Sequence, residues 1–154
     1  MQKQILSLIA VAIYALISFQ ACDKEGNETK ISMYNGTKSH YAGDNCMTCH
    51  KSGGEGEGWF TIAGTVYTDT TGTNILPNAT IKLFTGPDGS GEVRTTIEVD
   101  ALGNFYTTQN IDFSGGLFPS VSTDSGVKYM STSVTTGACS SCHGTNVTGK
   151  LFGE

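Results

Sequence analysis

The amino-acid sequence predicts a mainly β protein: a small antiparallel β-sandwich flanked by short loop or helix segments. Three observations carry that expectation. Between residues 59 and 130, apolar and polar residues alternate with period two in several short runs, the pattern of half-buried strands. Turn-forming clusters separate the runs, at Thr71-Gly72, Pro77-Asn78, Pro87-Asp88-Gly89, Asp100 to Asn104, Gly115-Gly116 and Asp124-Ser125-Gly126. Composition agrees: 20 of 154 residues are glycine and only 15% are charged, against a usual ~25%. The length allows one ordinary domain with appendages. A net charge of −5 without any basic run excludes a nucleic-acid binder. Scarce helix formers exclude a coiled coil, and 38% hydrophobic content with modest charge excludes disorder driven by charge.

Residues 1–21 read as a signal peptide. Lys3 supplies a positive start, and Ile5 to Phe19 is an uncharged apolar core of 15 residues. A spanning helix needs ~20 residues, so an uncleaved anchor is the weaker alternative. Phe19-Gln20-Ala21-Cys22 resembles the lipobox of bacterial lipoproteins, in which a small residue precedes a cysteine that becomes the acylated N-terminus. Ala21 matches that pattern, while Phe19 and Gln20 depart from its usual aliphatic and small residues. The resemblance implies lipidation at Cys22 and an extracytoplasmic, membrane-anchored lipoprotein, in the periplasm or on the cell surface. Residues 22–34 are then expected to form a flexible tether.

Residues 35–58 and 131–154 hold the remaining cysteines. Cys46-Met47-Thr48-Cys49-His50 and Cys139-Ser140-Ser141-Cys142-His143 are both C-x-x-C-H, the attachment motif of c-type haem. The spacing has a physical basis. One tight turn presents both sulfurs to the two vinyl groups of one porphyrin, and the adjacent histidine lies under the iron as proximal ligand. A thioredoxin-like site would need a βαβ context that the sequence lacks. A structural zinc site would place its cysteine pairs ~15–20 residues apart, far closer than Cys49 and Cys139. Neither alternative requires a histidine after the second cysteine in both copies. Two covalently attached haem c groups are therefore expected, with His50 and His143 bound to iron.

Distal ligands are scarcer. The chain has three histidines, so at most one haem is bis-histidine within one chain. No His or Met follows His143, which leaves His40, Met33, Met47 and Met130. Met47 lies inside its own attachment loop. The preferred assignment pairs His40 with His50 and Met130 with His143, giving two unequal reduction potentials, because methionine raises the potential relative to histidine.

The intervening segment opens with Ser52 to Gly58, a flexible linker by composition. Six strands follow, within Trp59–Tyr67, Ala79–Phe84, Val93–Val99, Phe105–Thr108, Leu117–Ser122 and Val127–Met130. Ile111-Asp112-Phe113 could add a seventh. Six strands would return the chain to its starting end and bring the motifs together; seven would separate them. The close pair is the expectation. Ala63-Gly64-Thr65-Val66-Tyr67, Leu76-Pro77-Asn78-Ala79-Thr80-Ile81-Lys82-Leu83 and Val99-Asp100-Ala101-Leu102-Gly103-Asn104-Phe105 resemble the carboxypeptidase regulatory-like domain, a transthyretin-like fold. The resemblance covers residues 59–130. It implies a structural or interaction module and transfers no catalytic residue. With its flanks, the chain resembles small extracytoplasmic dihaem cytochromes carrying such an insert.

The function expected is electron transfer to a redox partner protein or an extracellular acceptor or donor, rather than enzymatic catalysis. A peroxidase-like haem enzyme or sensor with an open iron is the first alternative. A subunit of an extracellular haem filament, self-assembled through a donated ligand or a sandwich edge, is the second.

Overall fold

The structure is a computed structural model that describes residues 27–144 and 149–153. The signal segment 1–21 and Cys22 lie outside the described residues. Among the described residues, seven strands form two sheets: β1 (Ile62–Thr65), β2 (Thr80–Phe84), β3 (Val93–Glu98), β4 (Asn104–Thr107), β5 (Phe118–Thr123), β6 (Gly126–Tyr129) and β7 (Gly137–Ala138). One sheet has the order β4-β1-β7 and the other β3-β2-β5-β6. All pairings are antiparallel except β1 with β7, which is parallel.

Alternation decides which side chains meet between the sheets. In β2, Ile81 and Leu83 turn inward while Thr80, Lys82 and Phe84 stay partly exposed. Register places Ile81 beside both Ile97 and Val121. Ile62, Val66, Val99, Phe105 and Leu117 complete the core. Each large side chain buried this completely contributes about 1.5–3 kcal/mol of transfer free energy, so Phe105 and Ile62, both at 0% exposure, are among its main supports. The turn into β4 is fixed by Asp100. Its Oδ1 accepts from the backbone N–H of Leu102 and of Asn104, each at 2.9 Å. Gly103 there adopts φ +77°, the left-handed conformation that glycine takes without strain.

The mainly β sandwich agrees with the sequence, and all six expected strands are present. Ile111-Asp112-Phe113 is not a strand. The seventh is instead Gly137–Ala138, immediately before the second motif. Residues 27–34, expected as a flexible tether, run along β4. Ser32 N–H donates to Tyr106 O at 3.0 Å, Thr108 N–H to Lys30 O at 2.8 Å, and Ile31 bridges Thr107. The reason is an open edge: β4 has β1 on one side only, and its backbone groups take the nearest unpaired chain. At the other end, Tyr67 bridges Phe152. Both flanks are thus stitched onto the sandwich.

Candidate haem attachment sites

The two C-x-x-C-H segments fold alike. Cys46–Thr48 is a short 3-10 turn and Ser140–His143 a single α-helical turn, α1. In the first, the Cys46 carbonyl accepts from Cys49 N–H at 3.3 Å and His50 N–H at 2.9 Å. In the second, the Cys139 carbonyl accepts from Cys142 N–H at 3.2 Å and His143 N–H at 2.9 Å. Each turn places two cysteine side chains, neither in a disulfide, and one imidazole on a helical arc.

Each histidine is also held in the same way. His50 Nδ1 lies 3.0 Å from Glu57 O, and His143 Nδ1 lies 2.8 Å from Gly149 O. A carbonyl oxygen only accepts, so Nδ1 carries the proton in both rings. The neutral ring then keeps its lone pair on Nε2, the tautomer that binds a metal.

The expected linker Ser52–Gly58 is a cradle around His50. Gly54 N–H bonds Lys51 O, and Gly56 N–H bonds Cys49 O. A Cβ at Gly56 would stand 2.7 Å from His50 Cγ and Nδ1, so only glycine admits the ring. Phe60 stacks on the imidazole at 4.1 Å and 7°, and Tyr106 stacks on Phe60 at 4.7 Å. Lys30 Nζ bonds Glu57 Oε1 at 2.6 Å, tying the cradle to the segment along β4. That bond holds the Glu57 carboxyl below its usual range.

His40 lies beside His50, with ring centroids 5.8 Å apart. Two imidazoles bonded to opposite sides of one metal, at ~2 Å each, have centroids roughly 6 Å apart. The His40 loop is positioned from the sheet. Thr65 Oγ1 donates to Asn104 Oδ1 at 2.6 Å and accepts from Gly43 N–H at 2.9 Å. Asn104 Nδ2 donates to Ser39 Oγ at 2.9 Å. Thr65, Asn104 and Tyr106 share the outer face of the three-stranded sheet, because they alternate with the inward Gly64 and Phe105.

The second turn sits against the inner face of the same strand. Cys139 N–H donates to Ala63 O at 3.1 Å, and a Cβ at Gly64 would stand 3.0 Å from Cys139 Cβ. A cavity of about 430 Å³ opens there between the sheets. Cys139, Cys142, His143 and Met130 all line it, with Leu83, Phe105 and Val121 from the core. Its size falls within the ~300–1,000 Å³ typical of ligand pockets. The sequence-derived partners His143 and Met130 therefore border one cavity. Met33 is 62% exposed, and Met47 lies within the first turn.

Burial pushes the Cys139 thiol up to about 12, with smaller upward contributions from Cys142 and Cys46. Burial raises the Cys46 thiol as well. The two sulfurs are thus within electrostatic reach across β1. Among the described residues, no three His, Cys, Asp or Glu side chains converge on one point. An iron already held by a porphyrin needs only two protein ligands; His40 and His50 stand at a separation that suits that demand, and His143 and Met130 border one cavity.

The cysteines and proximal histidines were visible as a motif. Glu57 O, Gly149 O, Phe60 and the Gly56 cradle were not, since backbone acceptors and stacking partners carry no spacing signature. Gly56 alone left a trace, in the glycine-rich run that read as a linker. No protein-family model, no curated protein and no solved structure matches the chain.

Proposed function

We propose that this protein is an extracytoplasmic dihaem c-type cytochrome that transfers electrons, anchored in a membrane as a lipoprotein through Cys22. The observation that carries the reading is a duplicated device. Two C-x-x-C-H turns, 93 residues apart from Cys46 to Cys139, each leave a histidine Nε2 unprotonated by bonding Nδ1 to a downstream carbonyl.

Cys46 and Cys49 hold one haem c and Cys139 and Cys142 the other, as thioethers. His50 and His143 are the proximal ligands, and His40 and Met130 the distal ones. Bound haem supplies one-electron chemistry. Phe60 and Glu57 O fix the plane and tautomer of His50. Leu83, Phe105 and Val121 exclude water around His143 and Met130. β1 seats the Cys139 turn beside Gly64 on one face and bonds Gly43, three residues before Cys46, on the other, which favours exchange between the two centres. The sandwich serves as a rigid spacer of the carboxypeptidase regulatory-like type, without catalytic residues of its own. A net charge of −5 suits a basic redox partner. The stretch from Cys22 to Asn27 reaches at most ~18 Å when extended, so acylation would keep the sandwich close to the membrane.

An optically monitored redox titration of the membrane-extracted protein tests the reading. Two one-electron waves at different potentials are expected. A single low potential with bis-histidine signatures at both irons would sink the Met130 assignment. Absence of any haem absorption would sink the function.

A further inference from the structure

The loop that carries His40 contains a residue in a conformation that its type disfavours. Among the described residues, four non-glycine residues have positive φ: Asn35, Tyr41, Asn78 and Asp88. Asparagine and aspartate tolerate the left-handed region, whereas a bulky aromatic residue rarely enters it. Tyr41 does so at φ +50°, and it is 76% exposed, so burial of its ring offers no compensation. Glycine is the default at such a position, as it is two residues later. Gly43 has φ +94°, and a Cβ there would stand 2.5 Å from Tyr67 Oη.

The loop is pinned on either side of Tyr41. Asn104, itself 2% exposed, donates from Nδ2 to Ser39 Oγ at 2.9 Å, and Gly43 N–H donates to Thr65 Oγ1 at 2.9 Å. Asp44 N–H closes the turn on Tyr41 O at 3.1 Å. With both ends fixed, the left-handed kink sets where the rings of His40 and Tyr41 point. They meet edge to face, with centroids 5.0 Å apart and planes at 90°. That is a favoured geometry for an aromatic pair. Strain kept at an exposed residue, in contact with a ligand candidate, points to function rather than stability. We propose that Tyr41 is a positioning residue for the distal ligand of the first haem: its ring, carried by the left-handed turn, restrains the His40 imidazole opposite His50. This rests on the His40–His50 assignment above. Tyr41 acts through His40 and slows its departure from the iron.

The test is cyanide uptake by the oxidised, haem-loaded full chain, with thermal unfolding beside it. Cyanide takes a distal position only after the resident ligand leaves, so each haem gives its own phase. His40→Ala identifies the phase of the first haem, which becomes fast. Tyr41→Asn removes the ring and keeps a residue that accepts the left-handed turn. The first-haem phase is expected to quicken about threefold to tenfold in it, the equivalent of one edge-to-face contact, while the other phase stays within twofold. Tyr41→Phe keeps the ring and the parent's rate. Relief of strain leaves the Tm of Tyr41→Asn at or above the parent's, whereas a merely structural role would lower it. With His40→Ala fast in one phase, three results would each overturn the role of Tyr41 alone: an unchanged phase in Tyr41→Asn, a quickened phase in Tyr41→Phe, or quickening with a lower Tm. Neither phase altered in His40→Ala, or no haem on the Cys46–Cys49 peptide, would overturn the reading beneath it and the proposal together.

Discussion

At Gly64, β1 comes into close contact with both Phe105 and the second C-x-x-C-H turn. Replacing it with alanine tests whether that contact seats the turn. A Cβ there would stand 2.7 Å from Phe105 Cζ, 2.9 Å from Cε1 and 3.0 Å from Cys139 Cβ. Carbon atoms pack at ~3.5 Å or more, so the first contact is short by about 0.8 Å. Phe105 is 0% exposed and enclosed by the core, and Cys139 is tied to Ala63 O by its backbone. Neither can swing into solvent. Overpacking of this kind costs about 1–3 kcal/mol, while loss of glycine's unfolded-state freedom returns about 0.4–1 kcal/mol. A net loss of roughly 1–2 kcal/mol follows, a fall in Tm of roughly 4–8 °C for a domain of this size. The same substitution at Gly126 meets nothing within 4 Å and is expected to be neutral. Urea unfolding of the two variants beside the parent measures the difference, and the second haem's potential should move in Gly64→Ala only. Equal stability of both variants, with both potentials unchanged, would refute the proposed seat.

Three further outcomes follow from the same geometry. His40→Ala should leave the first iron without a distal ligand, so the reduced protein binds carbon monoxide at one haem where the parent binds none; an unchanged spectrum removes His40 from the ligand set. Met130→His should lower the potential of the second haem alone, because histidine favours the oxidised iron relative to methionine; a shift at the first haem would reassign Met130. In the haem-free chain, with native circular dichroism verified, iodoacetamide should label the exposed Cys49 and Cys142 first. Cys139 should resist, because its acidity lies at about 12. Its thiolate fraction at pH 8 is then roughly one in 10⁴, rising tenfold per pH unit toward that value. Rapid labelling of Cys139 at pH 8 would contradict the buried environment.

The strands were legible because one face of each is buried and the other is not. Ile81 and Leu83 against Thr80 and Lys82 show the rule in its plainest form. Gly137–Ala138 was illegible because two residues cannot display a period; their strand exists only through parallel pairing with Ile62 and Ala63. That pairing also defeats the strand-count argument. Seven strands should have separated the motifs, but the count assumes full-length antiparallel passes, and β7 is neither. Both flanks reach β1 because Gly64 admits the second motif on the inner face and Thr65 bonds Gly43, three residues before the first, on the outer face. At the sites, the residues of the duplicated C-x-x-C-H motif were readable: Cys46, Cys49, His50, Cys139, Cys142 and His143. His40 was expected near the first site because it lies six residues before Cys46, and the structure places its ring 5.8 Å from that of His50.

On the proposed function, one small chain carries two haems by covalent attachment. Intact mass of the membrane-extracted protein tests it most directly. The account predicts a chain beginning at Cys22, heavier by two haem groups and by acyl chains, with fragments placing one haem on Cys46–Cys49 and one on Cys139–Cys142. A mature chain whose mass accounts for its residues alone would contradict it.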